Sequence, residues 1–352
     1  MGKKLFIAEK RHTAQCFIEA IGESNQSCDF VMSGGFCMWK RRLPKHLTFK
    51  DIPYSVLPPK QVGIESPSDY RLFGYFTSTI DGVNAGTKLG TTDEEQAIFI
   101  QSQVGAVKDA LNSGLYSEVV FLIDPDPVGY RAAKLALESV SPPAEVPVFA
   151  IELQSLEPNS VRQLYKNRSP MMPEDFAKLD AMRLGQELKL GFDYLWNTNS
   201  TLVFGEAMKM CGLKPVPMSK YSLIALMYAA KASDGEAFMG GDLVFALRHW
   251  VGTGKYKQND DATVGSARSV ANIVVGLEDA GFLERQVDGR TVKVSEQARD
   301  FLALMHPKSL DLDLPFRVER WRQDSTLKAE VIKYINTYFG RQLRYQRKLT
   351  NK

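Results

Sequence analysis

The sequence predicts an α/β protein: a parallel-sheet domain, then a mainly α-helical module that closes on a β-hairpin. Three observations carry this expectation. Short apolar runs alternate with helical stretches as far as residue 153. A wholly helical stretch follows, from about Asn159 to Met210. Beyond the Lys214–Pro217 linker the order changes to three helical stretches and two short strands around Asp288-Gly289-Arg290.

In chain order, Lys4–Ala8 (KLFIA) reads as a buried strand that ends at Glu9, with a helix over Thr13–Ile21 behind it. Glu94–Asn112 is helical, and Glu118–Ile123 (EVVFLI) is a second strand that stops at Asp124-Pro125-Asp126-Pro127. Val128–Ser139 is a further helix and Val146–Leu153 a third strand. Strands that alternate with helices form parallel sheets covered on both faces. Downstream, helices are expected over Ser219–Lys231, Asp242–Val251 and Ser266–Ala280. Phe282–Val287 and Thr291–Ser295 alternate as strands, and the Asp-Gly between them is a hairpin signal. Three helices followed by a hairpin is the winged-helix order. A helix over Glu296–Met305 closes the module before Pro307. These elements divide the chain into a sheet domain (1–153), a helical connector (154–215), a winged-helix module (216–306) and a basic helical tail (307–352).

With 352 residues, 44% hydrophobic and 24% charged, the chain has the composition of a globular protein with a sizeable core. No apolar run reaches the roughly 20 residues of a membrane span. The opening MGKKLFIAEKRH meets charge too early for a signal peptide, and Phe6 breaks the myristoylation pattern. Cys16, Cys28, Cys37 and Cys211 form no CxxC pair, which suits a reducing compartment. A cytoplasmic location without membrane contact is expected. The net charge of +3 is unevenly placed: residues 317–352 hold ten Lys/Arg and three Asp/Glu. Trp321, Tyr334, Tyr338, Phe339 and Tyr345 are interleaved with this charge. That pattern suits either phosphate contact with base stacking or the buried face of a terminal helix. Lys40, Arg41 and Arg42, beside Trp39, form a smaller basic cluster.

Ligands of parallel sheets gather beyond the carboxyl ends of the strands. Glu9 and the Asp124/Asp126 pair each follow a strand, so all three are expected to face one crevice. Carboxylates in that arrangement suit Mg²⁺, which takes a few carboxylates, waters and phosphate oxygens. A DPDP run is equally an ordinary turn.

"LFIAEK" at 5–10 and "FLIDPDPVGYRAAKLAL" at 121–137 resemble the two motifs of the topoisomerase–primase (TOPRIM) domain of type IA DNA topoisomerases, closest to the topoisomerase III branch. The resemblance implies an acid–base role for Glu9, a lysine beside the site at Lys10, and Mg²⁺ ligation by Asp124 and Asp126. The sequence departs from the family at Pro127, where an arginine is usual, and at Val128, where a third acidic ligand is usual. A weak Mg²⁺ site is therefore expected. "LEPNSVRQLYKN" at 156–167 also looks like the family, as does "AMRLGQELKLGF" at 181–192, where Arg183, Glu187 and Gly191 share one helix face. "ATVGSARSVANIVVGLEDAGFLERQ" resembles the family's Gly-x-Pro-[Ala/Ser]-Thr-Arg helix and the strand after it, with Arg268 offset by about two residues from the family's arginine.

The strand-passage gate of the family lies between the connector and the winged-helix module, yet Gly191 and Ser219 are only 28 positions apart. Two gate domains of roughly a hundred residues each do not fit there. No Tyr-x-Arg-Thr nucleophile motif is present, and Tyr345-Gln346-Arg347-Lys348 is only a partial echo. Three readings follow. The first is a single-stranded-DNA-binding protein similar to a truncated type IA topoisomerase, with a residual Mg²⁺ site and no strand passage. The second is a Mg²⁺-dependent nicking or topoisomerase-type enzyme using Glu9, Asp124 and Asp126. The third is an accessory partner in a DNA replication, transfer or segregation complex, with a protein partner as well as DNA. The residues expected at nucleic acid are Lys40, Arg41, Arg42, Arg183, Lys255, Arg268, Arg285, Arg290, Arg341, Arg344 and Arg347. Those of the winged-helix module would act through its third helix and wing. His12 and His46 have no metal partner at a ligating spacing, and His249, in a helix beside Trp250, reads as a packed or surface histidine.

Overall fold

The structure, a computed structural model, describes residues 2–24, 26–37, 47–57, 93–124, 127–139, 145–233, 235–251, 264 and 267–350. By internal packing the chain divides into two compact units, Met1–Arg42 with Pro59–Glu187, and Leu43–Pro58 with Leu188–Lys352.

The first unit contains β1 (Lys3–Ala8), α1 (Arg11–Ile21), β2 (Cys28–Met32), a 3₁₀ turn (Gly34–Cys37), α2 (Asp93–Asn112), β3 (Tyr116–Ile123), α3 (Pro127–Ser139), β4 (Val148–Glu152) and α4 (Pro158–Lys166). The first part of α5 (Pro173–Met210) completes it. The strands form one sheet in the order β2-β1-β3-β4, and every neighbouring pair is parallel. Side chains alternate between faces with a period of two. Leu5, Ile7, Val119, Phe121 and Ile123 pack with Val107 and Leu111 of α2 and Ala133 and Ala136 of α3. Phe6, Ala8, Val120, Leu122, Phe149 and Ile151 pack with Phe17 and Ile18 of α1 and Val161 of α4. Burial on both faces explains why KLFIA and EVVFLI read as nearly unbroken apolar runs.

The expected parallel α/β architecture is therefore present, with one strand more than the sequence predicts. β2 (CDFVM) begins with a cysteine and an aspartate, so its apolar part is only three residues long. Asp29 meets Lys3 of the neighbouring strand in a 2.9 Å ion pair. α5 is one helix of 38 residues that starts at Pro173 with Glu174 and Asp175 in its first turn. Proline at the first helical position and acids beside the positive helix end both favour that start.

The second unit holds the rest of α5, α6 (Lys220–Ser233), β5 (Phe238–Met239), α7 (Gly240–Arg248), α8 (Ala267–Asp279), β6 (Leu283–Arg285), β7 (Thr291–Val294), α9 (Glu296–Ala303), α10 (Leu314–Gln323) and α11 (Lys328–Thr350). Its small sheet has the order β5-β7-β6, antiparallel throughout. The hairpin turn is set by Asp288, whose Oδ1 accepts from the backbone N–H groups of Arg290 (2.9 Å) and Thr291 (2.8 Å). Gly289 supplies the positive φ of 65° that the turn needs. The segment at 47–57 is held by Asn199, whose side chain accepts from Tyr54 N and donates to Tyr54 O, each at 2.8 Å.

The two uses open to the C-terminal aromatics are separated by their burial. α11 buries Val331, Ile335, Tyr338, Phe339 and Leu343, a single stripe at helical spacing. Tyr338 and Phe339 meet Trp196 at ring distances of 4.9 and 5.3 Å, and Trp321 lies 5.0 Å from Phe192. Tyr334 is wedged between Trp321 and Tyr338. These four rings are core, not a stacking platform for bases. The arginines and lysines of α11 occupy its remaining faces.

A charged cluster lies beside the apolar core of this unit. Asp193 of α5 is bonded by the buried Lys220 and pairs with Lys189 at 2.7 Å. Burial pushes the Asp193 carboxyl up, but the two ammonium groups outweigh it and hold its pKa below the ordinary value of 3.8. Among the described residues no helix is long and apolar enough to cross a membrane.

Two outcomes follow from this packing. Phe339→Ala should cost about 3–5 kcal/mol in urea denaturation, as for a fully buried ring, whereas a loosely attached tail would give less than about 0.5 kcal/mol. Asp193→Asn leaves Lys220 buried without its counter-charge and should cost about 3–5 kcal/mol at neutral pH. Because the folded carboxyl has the lower pKa, its contribution is complete above the unfolded pKa and fades as pH falls through the folded one. The stability gap between wild type and Asp193→Asn should thus stay constant from neutrality to about pH 5 and narrow only below about pH 4.

Candidate metal and nucleic-acid site

β1 lies between β2 and β3, so successive strands leave it in opposite directions across the sheet. In such sheets the crevice at the carboxyl ends of the strands, where the order reverses, is where ligands bind. The parallel register aligns Ala8 of β1 with Leu122 of β3. Glu9 and Asp124, just past these positions, are therefore carried to the same edge. Lys10 joins them: its ammonium donates to Asp124 Oδ2 and lies 3.4 Å from Glu9 Oε1. The Glu9 side chain is 8% exposed, that of Asp124 22% and that of Lys10 52%. Burial alone lowers the Lys10 pKa, but the bond to Asp124 and the charge of Glu9 outweigh it and raise the pKa above 10.5. Glu9, Lys10 and Asp124, the described members of the predicted catalytic and metal set, thus form one cluster, a sunken carboxylate, a second carboxylate and an ammonium between them.

Two local features shape this edge. Gly129, in the first turn of α3, lies against the end of β3: a Cβ there would be 2.5 Å from Asp124 O and 3.1 Å from Asp124 N. Only glycine lets the helix approach the strand end so closely. Arg131, fully buried on α3, donates from Nη1 to Phe36 O at 2.9 Å and ties the helix to the turn after β2. Sequence reasoning passed over Arg131 and the Ser33-Gly34-Gly35 turn; an apolar strand end followed by Ser-Gly-Gly was the available signal. It also passed over Glu152, which ends β4. There Lys178 and the Tyr130 hydroxyl outweigh the effect of burial and lower the carboxyl pKa.

The donor chemistry fits Mg²⁺. Glu9 and Asp124 offer hard oxygens to one point that a cationic group already occupies, and waters can complete a shell around so few carboxylates. Asp126 lies outside the described residues, as do the side chains of Pro127 and Val128. Among the described residues no three His, Cys, Asp or Glu side chains gather to hold a metal.

The expected nucleic-acid residues scatter. Arg183 belongs to the first unit and bonds Asp180 Oδ1 (2.7 Å) and Glu187 Oε1 (2.9 Å), an intrahelical ion-pair ladder. Arg285 makes a forked pair with Glu278 and donates to Gly289 O at 2.8 Å, so its guanidinium braces the hairpin. Arg290 is exposed at the hairpin tip, and Arg344 and Arg347 are exposed on α11. Arg341 is half-buried and donates to Lys308 O at 2.7 Å. Lys40, Arg41, Arg42, Lys255 and the Arg268 side chain lie outside the described residues. His12 sits 3.5 Å from Cys16 Sγ on α1. Comparison of the chain with known protein families and with curated protein sequences finds no match.

Gly129→Ala should cost about 1–3 kcal/mol, because either α3 or the Asp124 backbone has to move. Gly105→Ala, inside α2 with open space around the added methyl, should instead gain about 0.5–1 kcal/mol. Thermal denaturation of the two variants side by side checks the claim; equal behaviour would remove the close approach at Asp124.

Proposed function

We propose that the protein binds single-stranded DNA and holds Mg²⁺ weakly at Glu9, Asp124 and Asp126, as a relative of type IA topoisomerases that lacks strand passage. The observation that carries this reading is the Glu9–Lys10–Asp124 cluster at the sheet edge where the strand order reverses. Its three members are the residues matched by the "LFIAEK" and "FLIDPDP" motifs. Bound Mg²⁺ would supply charge neutralisation to phosphate oxygens. The half-exposed Lys10 ammonium is placed to meet a phosphate, and the sunken Glu9 and Asp124 hold it at the crevice.

The second unit supplies further support. Its order α6, β5, α7, α8, β6, β7, with an antiparallel β5-β7-β6 sheet, is compatible with the winged-helix order expected from the sequence. In this reading α8, with Arg268, and the hairpin tip, with Arg290, meet the DNA backbone, together with Lys255. Lys40, Arg41 and Arg42 would add to the first unit's charge. Arg285 positions the hairpin through Glu278 rather than touching DNA.

The test is anisotropy of a labelled oligothymidylate with and without Mg²⁺, for wild type and the Asp124→Asn/Asp126→Asn variant. Wild type should bind with an affinity that falls as salt rises, on a log–log slope of about −0.7 per phosphate contacted. Mg²⁺ should strengthen wild-type binding several-fold and leave the double variant unchanged. An identical Mg²⁺ response in both proteins would remove the metal site. Cleavage lost in the double variant would make the protein a nicking enzyme, and no binding at low salt would leave it an accessory protein partner.

A further inference from the structure

A cavity of about 710 Å³ opens in the second unit between the 3₁₀ turn at Pro307–Ser309, α10 and α11. Its size is that of a small-molecule site and well above that of a bare inorganic ion. Two carboxylates line it, and each has a cation of its own: Asp311 lies 3.4 Å from Arg317 Nε, and Glu330 is bonded by Arg320 outside the lining. Lys308, Lys333 and Arg341 also line it, and none has a carboxylate partner among the described residues. Arg341 is the most constrained of the three. Its Nη2 donates to Lys308 O at 2.7 Å, which fixes the guanidinium, while its buried Nε–H has no acceptor. The fixed guanidinium keeps its positive charge at the cavity wall beside those of Lys308 and Lys333. Thr337 adds an exposed hydroxyl.

We propose that this cavity is a phosphate-binding site, in which Lys308, Lys333 and Arg341 hold the phosphate group of a larger organic molecule. Trp321 and Tyr338, each 2% exposed and packed against other rings, wall the cavity without stacking on the ligand. The positive field is visible at the neighbouring His306, where burial and then the charges of Arg341 and Lys308 hold the imidazole below its ordinary pKa. A phosphate monoester of a small molecule and a phosphodiester of a nucleic-acid strand offer the same oxygens, and both fit this chemistry.

The experiment uses the full chain with three probes: inorganic phosphate, thymidine 5′-monophosphate and a labelled oligothymidylate. Each is titrated into wild type and into Lys308→Glu/Lys333→Glu, two exposed positions whose change leaves the core intact. The site requires that the monophosphate or the oligonucleotide bind wild type more tightly than inorganic phosphate. It further requires that the variant lose about tenfold or more of that affinity. His306 should report ligand entry as an upward shift of its imidazole titration by NMR. Monophosphate binding lost in the variant, without oligonucleotide binding, assigns the site to a small phosphorylated molecule and removes the DNA-binding reading. Oligonucleotide binding that the variant leaves unchanged, with no monophosphate binding, removes the cavity and leaves DNA binding intact. Absence of binding by every probe overturns the site.

Discussion

Parallel pairing of β1 with β3, with Ala8 opposite Leu122, is the constraint on which the candidate site depends. Glu9 and Asp124 are 115 residues apart in the chain, and only this register brings their carboxylates to one ammonium. The register is in turn locked by burial on both faces. A slip of one residue would exchange Leu5 and Ile7 with Phe6 and Ala8 between two packed layers of different shape. The site therefore inherits its geometry from the core of the sheet rather than from the loops around it. Gly129 extends the same dependence to α3, whose first turn can approach the end of β3 only because it carries no Cβ there.

The second unit is organised by a different principle. An aromatic cluster from α5, α10 and α11, centred on Trp196, Trp321 and Phe339, gives its C-terminal helices a common core. Charge enters this core at Asp193 with Lys189 and Lys220, where the ion pairs offset the desolvation of each partner. The same aromatic packing shapes the cavity beside α11 and leaves cations at its rim. One helix thus takes part in core formation along its apolar stripe and offers basic side chains on its other faces.

Several elements were legible from residues alone because local pattern and tertiary role coincide. KLFIA and EVVFLI are apolar throughout since both sheet faces are covered, and Asp-Gly marks a turn whose φ requirement is local. β2 and β5 were not legible. The first has a polar start at Cys28-Asp29, and the second is a two-residue strand that exists only by pairing with β7. The Arg183–Glu187 pair follows from a helical spacing of four, whereas Arg285, expected at nucleic acid from sequence, is engaged by Glu278 once the hairpin is formed.

The sequence by itself determined the alternation of strands and helices, the hairpin, and the placement of Glu9 and Asp124 directly after apolar strands. Hydrophobic period and turn chemistry are written residue by residue, so these features need no partner to be read. Tertiary structure decided which strands neighbour one another, that Lys10 stands between the two carboxylates, and that Trp321, Tyr334, Tyr338 and Phe339 of the basic C-terminal segment belong to a core. Each of those is a contact between residues distant in the chain, and a one-dimensional pattern states that a face is apolar without stating what will cover it.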